Sequence, residues 1–83
     1  MRVNVRYFAS IREAIGAGGE TLDTAATTVG ELRDALVARG GAHAAALARG
    51  RAVRAALDQV MSDDAAVLRE GAEVAFFPPV TGG

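Results

Sequence analysis

Polar and apolar side chains alternate along the first eight residues of the chain. Val3, Val5 and Tyr7 fall on one face of this stretch, and the residues between them are polar. A period of two residues is typical of a β-strand that buries one face. We therefore predict a first strand from Arg2 to Phe8, whose other face carries Arg2, Asn4, Arg6 and Phe8.

A short helix should follow this strand. Ser10 and Glu13 have the spacing of a capping box, in which the two side chains bond free backbone N–H groups at the start of a helix. Ile11 and Ile15 are four residues apart and share a helix face, and Gly16 suits the left-handed residue that ends many helices.

A glycine-rich turn and a weaker strand come next. Residues 16–19 have the composition of a phosphate-binding loop, but a Walker loop needs a lysine and the chain contains none. We therefore predict a plain turn at residues 16–19. A strand from Glu20 to Ala25 follows, with Leu22 as its apolar member.

The main helix is predicted to begin at a second capping box. Thr28 and Glu31 form this box, and the helix should end at Gly40 and Gly41. Its apolar stripe should pack on one face of a sheet. The stripe comprises Val29, Leu32, Ala35 and Leu36.

Strands and short turns dominate the second half of the chain. The alanine-rich residues 42–50 are predicted to form a helical turn or a loop, and residues 51–57 a strand. A turn at Asp58 and Gln59 should lead into a hairpin arm at residues 60–62.

The last predicted strand runs from Glu73 to Phe77, after a turn at Gly71. It is almost wholly apolar, with Val74 and Phe76 on one face and Ala75 and Phe77 on the other. Together the elements predict an α+β fold in which one sheet packs on one main helix. The hydrophobic pattern leaves the strand order open. With 83 residues the chain should form a single domain, residues 1–83.

Composition excludes several classes of function. The net charge is −1 and the nine basic residues, all arginines, are scattered, so no basic stripe for nucleic acid is present. The chain has no cysteine and one histidine, His43, which leaves no persuasive metal site or Ser-His-Asp triad. We interpret His43 as a surface or helix-end residue. No apolar run is long enough for a membrane span or a signal peptide, which predicts a cytoplasmic protein with no membrane contact.

The last six residues combine stiffness with a slim end. Pro78 and Pro79 donate no N–H and favour an extended backbone, so the strand should stop at Phe77. Gly82 and Gly83 lack a Cβ and could pass through a channel too narrow for side chains. This pattern favours a tail that presents the carboxylate of Gly83 to another protein.

The closing residues also carry a family resemblance. Leu68, Gly71, Glu73 and Val74, followed by a final Gly-Gly, resemble the end of ubiquitin-like β-grasp proteins. The longer ending EVAFFPPVTGG resembles the small subunits of molybdopterin synthase. The same subunits share an early motif that fits Phe8, Ala9, Arg12, Glu13 and Gly16. The chain departs from the family at Ala72, where Asp is common, and at Ala56-Leu57-Asp58, where Ala-Val-Asn is common.

The resemblance implies a ubiquitin-like β-grasp fold, with a mixed sheet on the main helix and the final strand central beside the first. Residues 78–83 would form a flexible extended tail. The implied reaction takes place at Gly83, with Gly82 beside it. A ubiquitin-activating-type enzyme uses ATP to adenylate the carboxylate, and a sulfur donor converts the adenylate into a thiocarboxylate.

The resemblance also implies the partners of the chain. The thiocarboxylate would enter the large catalytic subunit of molybdopterin synthase, within a heterotetramer, and give its sulfur to the cyclic pterin precursor of the molybdenum cofactor. This chain would then be a sulfur-donor subunit that performs no catalysis alone and binds no cofactor itself.

Partner contacts are expected at six positions. Met61 matches a family position that docks both partners, and Phe77 should join it in an apolar patch on the sheet face that the helix leaves open. The remaining expected contacts are the tail residues Pro78, Pro79, Val80 and Thr81.

Three other functions stay open at this point. The chain could carry sulfur for thiazole synthesis or transfer-RNA thiolation, because the same carboxylate chemistry recurs there. It could be a protein modifier whose Gly83 forms isopeptide bonds. It could also be a plain interaction module with an idle tail, since the fold alone does not decide function.

Overall fold

Five strands and three helices make up the part of the chain that the structure, a computed structural model, describes: residues 1–79. The strands are β1 (Arg2–Tyr7), β2 (Gly19–Asp23), β3 (Arg54–Leu57), β4 (Val60–Ser62) and β5 (Glu73–Phe77). The helices are α1 (Ala9–Ile15), α2 (Val29–Ala38) and α3 (Gly41–Leu47).

The strands form one mixed sheet in the order β2-β1-β5-β3-β4. β5 runs parallel to β1 and antiparallel to β3, so the last strand lies in the centre of the sheet. This confirms the expected position of the final strand beside the first. A central strand has neighbours on both edges, which fits the nearly unbroken apolar sequence of β5.

The core lies between one sheet face and the helices. Val5 and Tyr7 of β1 and Val74 and Phe76 of β5 point to this face and are almost fully buried. The helices contribute Ile11, Val29, Leu32, Leu36, Ala46 and Leu47. Burying each large apolar side chain contributes about 1.5–3 kcal/mol, so this layer supplies most of the drive to fold.

The capping box at the start of α2 is confirmed, except that the Glu31 carboxylate bonds a different backbone N–H from the one expected. The Thr28 hydroxyl accepts a hydrogen bond from the Glu31 N–H at 3.2 Å, as predicted. The Glu31 carboxylate accepts from the N–H of Thr27, at 2.8 Å, rather than from that of Thr28. Gly30 is required next to this cap, because a Cβ there would lie 2.8 Å from the Cβ of Asp64.

The capping box predicted for α1 is wrong. The residue before the helix is Phe8, which is extended (φ −128°, ψ 156°) and makes no side-chain cap bond. Its N–H pairs with the Phe76 carbonyl at 3.1 Å, and its own carbonyl accepts from Ile11 at 3.1 Å. The helix therefore starts where sheet pairing ends, and Ser10 already lies inside it. The stop at Gly16 is confirmed by its φ of 84° and its bond to the Arg12 carbonyl.

Three strand predictions have shifted bounds, the first of which ends at Tyr7 and not at Phe8. The strand expected at residues 51–57 covers only Arg54–Leu57, because residues 51–53 pack beside α1 and α3 before joining the sheet. The weaker strand expected at Glu20 to Ala25 begins at Gly19 and ends at Asp23. The turn at Asp58 and Gln59 is confirmed, and both residues have the positive φ typical of a two-residue hairpin.

The alanine-rich segment is a true helix, so α2 is not the only helix on the sheet. α3 is fixed to α2 by Arg33, whose Nε donates to the Leu47 carbonyl at 2.7 Å and whose Nη2 donates to Ala48 at 2.8 Å. These carbonyls lie at the end of α3, where helical partners are lacking. No helix within residues 1–79 is long and apolar enough to cross a membrane.

Candidate functional site

The tail begins at the end of the central strand. The last ladder pair of β5 joins Phe77 to Arg54. Pro78 and Pro79 follow and offer no N–H to continue the ladder. The chain therefore leaves the sheet from its middle, beside β1 and β3 and not from an outer edge.

The first two tail residues lie against the domain. Pro78 and Pro79 are half-buried in a groove of about 360 Å³ between α1, α3 and residues 51–53. Its apolar lining includes Ile11, Ala14, Ala46 and Val53. The expected partner contacts at Val80 and Thr81 and the reaction site at Gly82 and Gly83 lie outside the described residues.

Met61 and Phe77 share the sheet face that the helices leave open. Met61 of β4 pairs with Ala56 of β3, which pairs in turn with Ala75 of β5. Phe77, two residues after Ala75, points to the same side. Met61 is 60% exposed, and Phe77 is half-buried. Both residues therefore lie on the face where the apolar patch is expected, and their binding role stays a prediction; we call this face, with Met61 and Phe77, the docking face.

Phe8 also lies on the docking face, although this position was not predicted from the sequence. Phe8 directly follows Tyr7, the partner of Phe76 in the parallel ladder, so it lies beside Phe77 at the end of the sheet. It is 43% exposed, and the Arg6 guanidinium lies 5.9 Å from its ring centre. The two-residue alternation in the sequence already places Phe8 on the face opposite the core, and this pattern could have identified it.

Comparison with known proteins identifies the family of this chain. The model of the ThiS family matches residues 5–83. The chain belongs to the ThiS family. Among relatives of this ThiS-family chain, the molybdopterin synthase sulfur carrier subunit of Haemophilus influenzae is 37% identical over 81 residues. These cover 98% of this chain and 99% of the relative.

Solved structures agree with the fold. SAMP1 from Haloferax volcanii matches with a TM-score of 0.79 and 27% identity, and each chain is covered completely. The complex of subunits 1 and 2 of the molybdopterin-converting factor from Helicobacter pylori contains a chain that matches with a TM-score of 0.69, 27% identity and complete coverage of both chains. The predicted ubiquitin-like β-grasp fold and the resemblance to molybdopterin synthase small subunits are thereby confirmed.

A polar cluster of this ThiS-family chain lies away from the docking face. The Glu20 carboxylate accepts a hydrogen bond from the Tyr7 hydroxyl at 2.8 Å and from Arg39 at 2.7 Å, and it lies 3.1 Å from His43 Nε2. His43 is in the first turn of α3, as a helix-end residue, but it points inward and its side chain is only 17% exposed. The helix-end alternative predicted for His43 is confirmed, and its side chain is partly buried against Glu20 and Tyr7.

The electrostatics of this cluster indicate that it stabilises the fold. Burial, together with the bond to Glu20, raises the pKa of Tyr7. Burial also raises the pKa of Glu20, but the hydrogen bonds from Arg39, Tyr7 and His43 outweigh it and leave this pKa below its ordinary value. The ionised carboxylate thus holds β2 to the ends of α2 and α3. Within residues 1–79, no three His, Asp or Glu side chains are placed to hold a metal ion.

Proposed function

We propose that this chain is the sulfur carrier subunit of a molybdopterin synthase. The observation that carries the proposal is the ending Phe-Phe-Pro-Pro-Val-Thr-Gly-Gly, whose two phenylalanines close the central strand β5 and whose Phe77 lies on the docking face. Similarity to a curated carrier over nearly the whole length supports it. The docking face and the tail then have separate tasks, since the face binds partners and the tail carries the reacting group.

The reaction must begin with activation of the Gly83 carboxylate. An α-carboxyl group has a pKa of about 3.3–3.7, so it is ionised at neutral pH and is a poor electrophile. An adenylating enzyme joins it to the α-phosphate of ATP and releases pyrophosphate. A sulfur nucleophile then displaces AMP, and the product is a thiocarboxylate. The chain has neither lysine nor cysteine, which fits chemistry performed by its partners.

Transfer to the pterin requires a second partner. The Helicobacter pylori complex pairs subunit 1 of that factor with subunit 2. By analogy, the docking face of this chain binds the large catalytic subunit, in a heterotetramer, and the tail enters its active site. There the thiocarboxylate sulfur forms a bond to an electrophilic carbon of the cyclic pterin precursor, and water then cleaves the acyl–sulfur bond, which leaves the sulfur on the pterin and returns the Gly83 carboxylate. This chain is consumed and regenerated as a cosubstrate, without a bound cofactor of its own.

Intact mass measurement tests this function. Incubation with the activating enzyme, ATP and a sulfur donor should add one sulfur and remove one oxygen, within the peptide that ends in Gly83. Addition of the large subunit and the pterin precursor should reverse the change. A variant with one alanine appended after Gly83 is the matched control and should gain nothing. Sulfur on the control, or a wild-type gain that the large subunit leaves in place, would contradict the proposal.

Protein modification is the second candidate, because the matched Haloferax volcanii protein SAMP1 is described as a small archaeal modifier protein. A modifier would leave Gly83 in amide linkage to other proteins, and lysates would contain conjugates that resist thiol reagents. Carriers for thiazole synthesis or transfer-RNA thiolation would gain the same sulfur but deliver it to a different acceptor.

A further inference from the structure

Four exposed arginines lie on the segments that flank the end of β5, where the tail leaves the sheet. Arg54 is paired with Phe77, and Arg51 lines the groove that holds Pro78 and Pro79. Arg6 and Arg12 line a second groove, next to Phe8 at the end of β1. We call this set, Arg6, Arg12, Arg51 and Arg54, the arginine collar. All four side chains are exposed.

The collar is poorly neutralised by the chain itself. Among residues 1–79, no carboxylate lies within 4.0 Å of Arg12, Arg51 or Arg54, and the nearest carboxylate oxygen to Arg6 belongs to Glu73, at 3.9 Å. Arginines elsewhere in the domain pair closely with carboxylates; Arg39, for example, bonds Glu20 at 2.7 Å. The chain as a whole has a net charge of −1, so the positive charge at the tail base is a local feature.

Two acidic side chains share a cavity with Arg54, but among the described residues neither lies within 4.0 Å of its guanidinium. Asp63 and Asp64 line the same cavity as Arg54. Asp64 bonds Arg49 at 2.5 Å, and Asp63 accepts a hydrogen bond from the N–H of Ala65 at 2.9 Å. These contacts hold the loop after β4 and leave the Arg54 guanidinium available to an external anion.

We propose that the arginine collar docks on acidic side chains around the mouth of the pocket in the large synthase subunit that receives the tail. This inference rests on the proposed function. If the tail enters a partner, the partner surface must close around the tail base, so the collar lies within the interface. Arginine and aromatic side chains, here beside Phe8 and Phe77, are enriched at the energetic centres of interfaces.

The collar would also orient this chain as it approaches the large subunit. The tail end is anionic and must meet cationic groups inside the pocket, whereas the collar meets anionic groups at its rim. Alternating charges along the approach axis favour a tail-first encounter and disfavour other orientations. Charge complementarity of this kind raises the association rate and makes it sensitive to salt.

Stopped-flow association with the purified large subunit encoded in the same genome tests the proposal. For the wild type, the association rate constant should fall about tenfold between low and high ionic strength. R12E/R54E should associate about tenfold more slowly at low salt and approach the wild type near 1 M salt, where screening extends only about 3 Å. R12Q/R54Q should fall between them.

The matched control is R69E, since Arg69 is exposed and precedes the Gly71 turn at the opposite end of β5. It makes the same charge change per site and should alter the rate less than about twofold. Thermal melts establish that each variant is folded. If R12E/R54E does not fold, the neutral pair and the salt dependence of the wild type still decide the matter.

Three outcomes would each contradict the proposal that the arginine collar docks on the large subunit. They are association that is independent of salt, an R69E effect as large as that of R12E/R54E, and a collar effect confined to the activating enzyme. Binding of the free carrier to single-stranded nucleic acid that R12E/R54E abolishes, with unchanged large-subunit association, would assign the collar to a different partner. A wild type that takes up no sulfur at Gly83 removes the proposed function, and that assay does not depend on the collar.

Discussion

Asp58 and Glu73 are joined by two hydrogen bonds across the sheet. The Asp58 carboxylate accepts from the Glu73 N–H at 2.9 Å, and the Asp58 N–H donates to the Glu73 carbonyl at 2.8 Å. The β3–β4 hairpin turn is thereby tied to the first residue of β5, the strand that carries the tail. Asp58 has a φ of 49°, a left-handed conformation that Asp and Asn tolerate better than most residues.

Asp58→Ala should destabilise the domain by about 1–2 kcal/mol, because it removes the acceptor and places alanine at a positive φ. Asp58→Asn is the matched control, since its amide oxygen accepts the same bond and it suits the same conformation. Urea unfolding measures both variants. Equal stability of the two would show that the side-chain bond contributes nothing.

Phe76 and Phe77 should respond in opposite ways to truncation. Phe76 has no exposed surface and fills the core, so Phe76→Ala should lower the free energy of unfolding by about 3–5 kcal/mol. Phe77 lies on the docking face, and Phe77→Ala should cost little stability but weaken binding to the large subunit by about 2 kcal/mol or more.

Calorimetric melts and titration with the large subunit separate the two effects. A Phe77→Ala protein that melts as early as Phe76→Ala would place Phe77 in the core. Unchanged binding would remove it from the interface.

Deletion of Gly82 and Gly83 should separate folding from function. Gly82 and Gly83 have no side chain to bury and lie at the chain terminus, so the melting temperature should change by no more than a degree or so. Sulfur uptake should be lost completely, because the reacting carboxylate is gone. Mass spectrometry after the activation reaction and a thermal melt of the same sample provide the two readouts. Sulfur uptake by the deleted chain would contradict the assignment of Gly83.

Acid stability should depend on Glu20. Its pKa is lower in the folded protein than its ordinary value of 4.5, because the bonds from Arg39, Tyr7 and His43 outweigh burial. A lowered folded pKa contributes stability above pH 4.5, and this contribution is lost as the pH falls through the folded pKa. Glu20→Gln should therefore flatten the fall in unfolding free energy below pH 4.5.

Urea unfolding at a series of pH values measures this slope. The exposed Glu13→Gln controls for the loss of one carboxylate elsewhere. A Glu20→Gln profile parallel to that of the wild type would show that the cluster does not contribute to acid stability.

Local patterns were sufficient for the elements whose signals lie within a few residues. The alternation in β1 and β5, the Thr28 cap of α2 and the Asp58-Gln59 turn were all read correctly from the sequence. Each depends on side-chain period or on bonds between near neighbours, which a linear sequence contains. The end of β5 at Phe77 belongs to the same class, because Pro78 and Pro79 act through their own backbone restrictions, whereas the tail at residues 80–83 stays a prediction.

Contacts between distant segments decided the rest. The start of α1 depends on a bond from Phe8 to Phe76, and the end of α3 depends on Arg33, fourteen residues before Leu47. In the sequence Arg33 looks like any solvated charge, yet it is almost fully buried. The arginine collar likewise exists only because β1 and β5 end where β3 begins. Hydrophobic period determines which face of an element is buried, whereas the partner across that face is chosen by the packing of the whole chain.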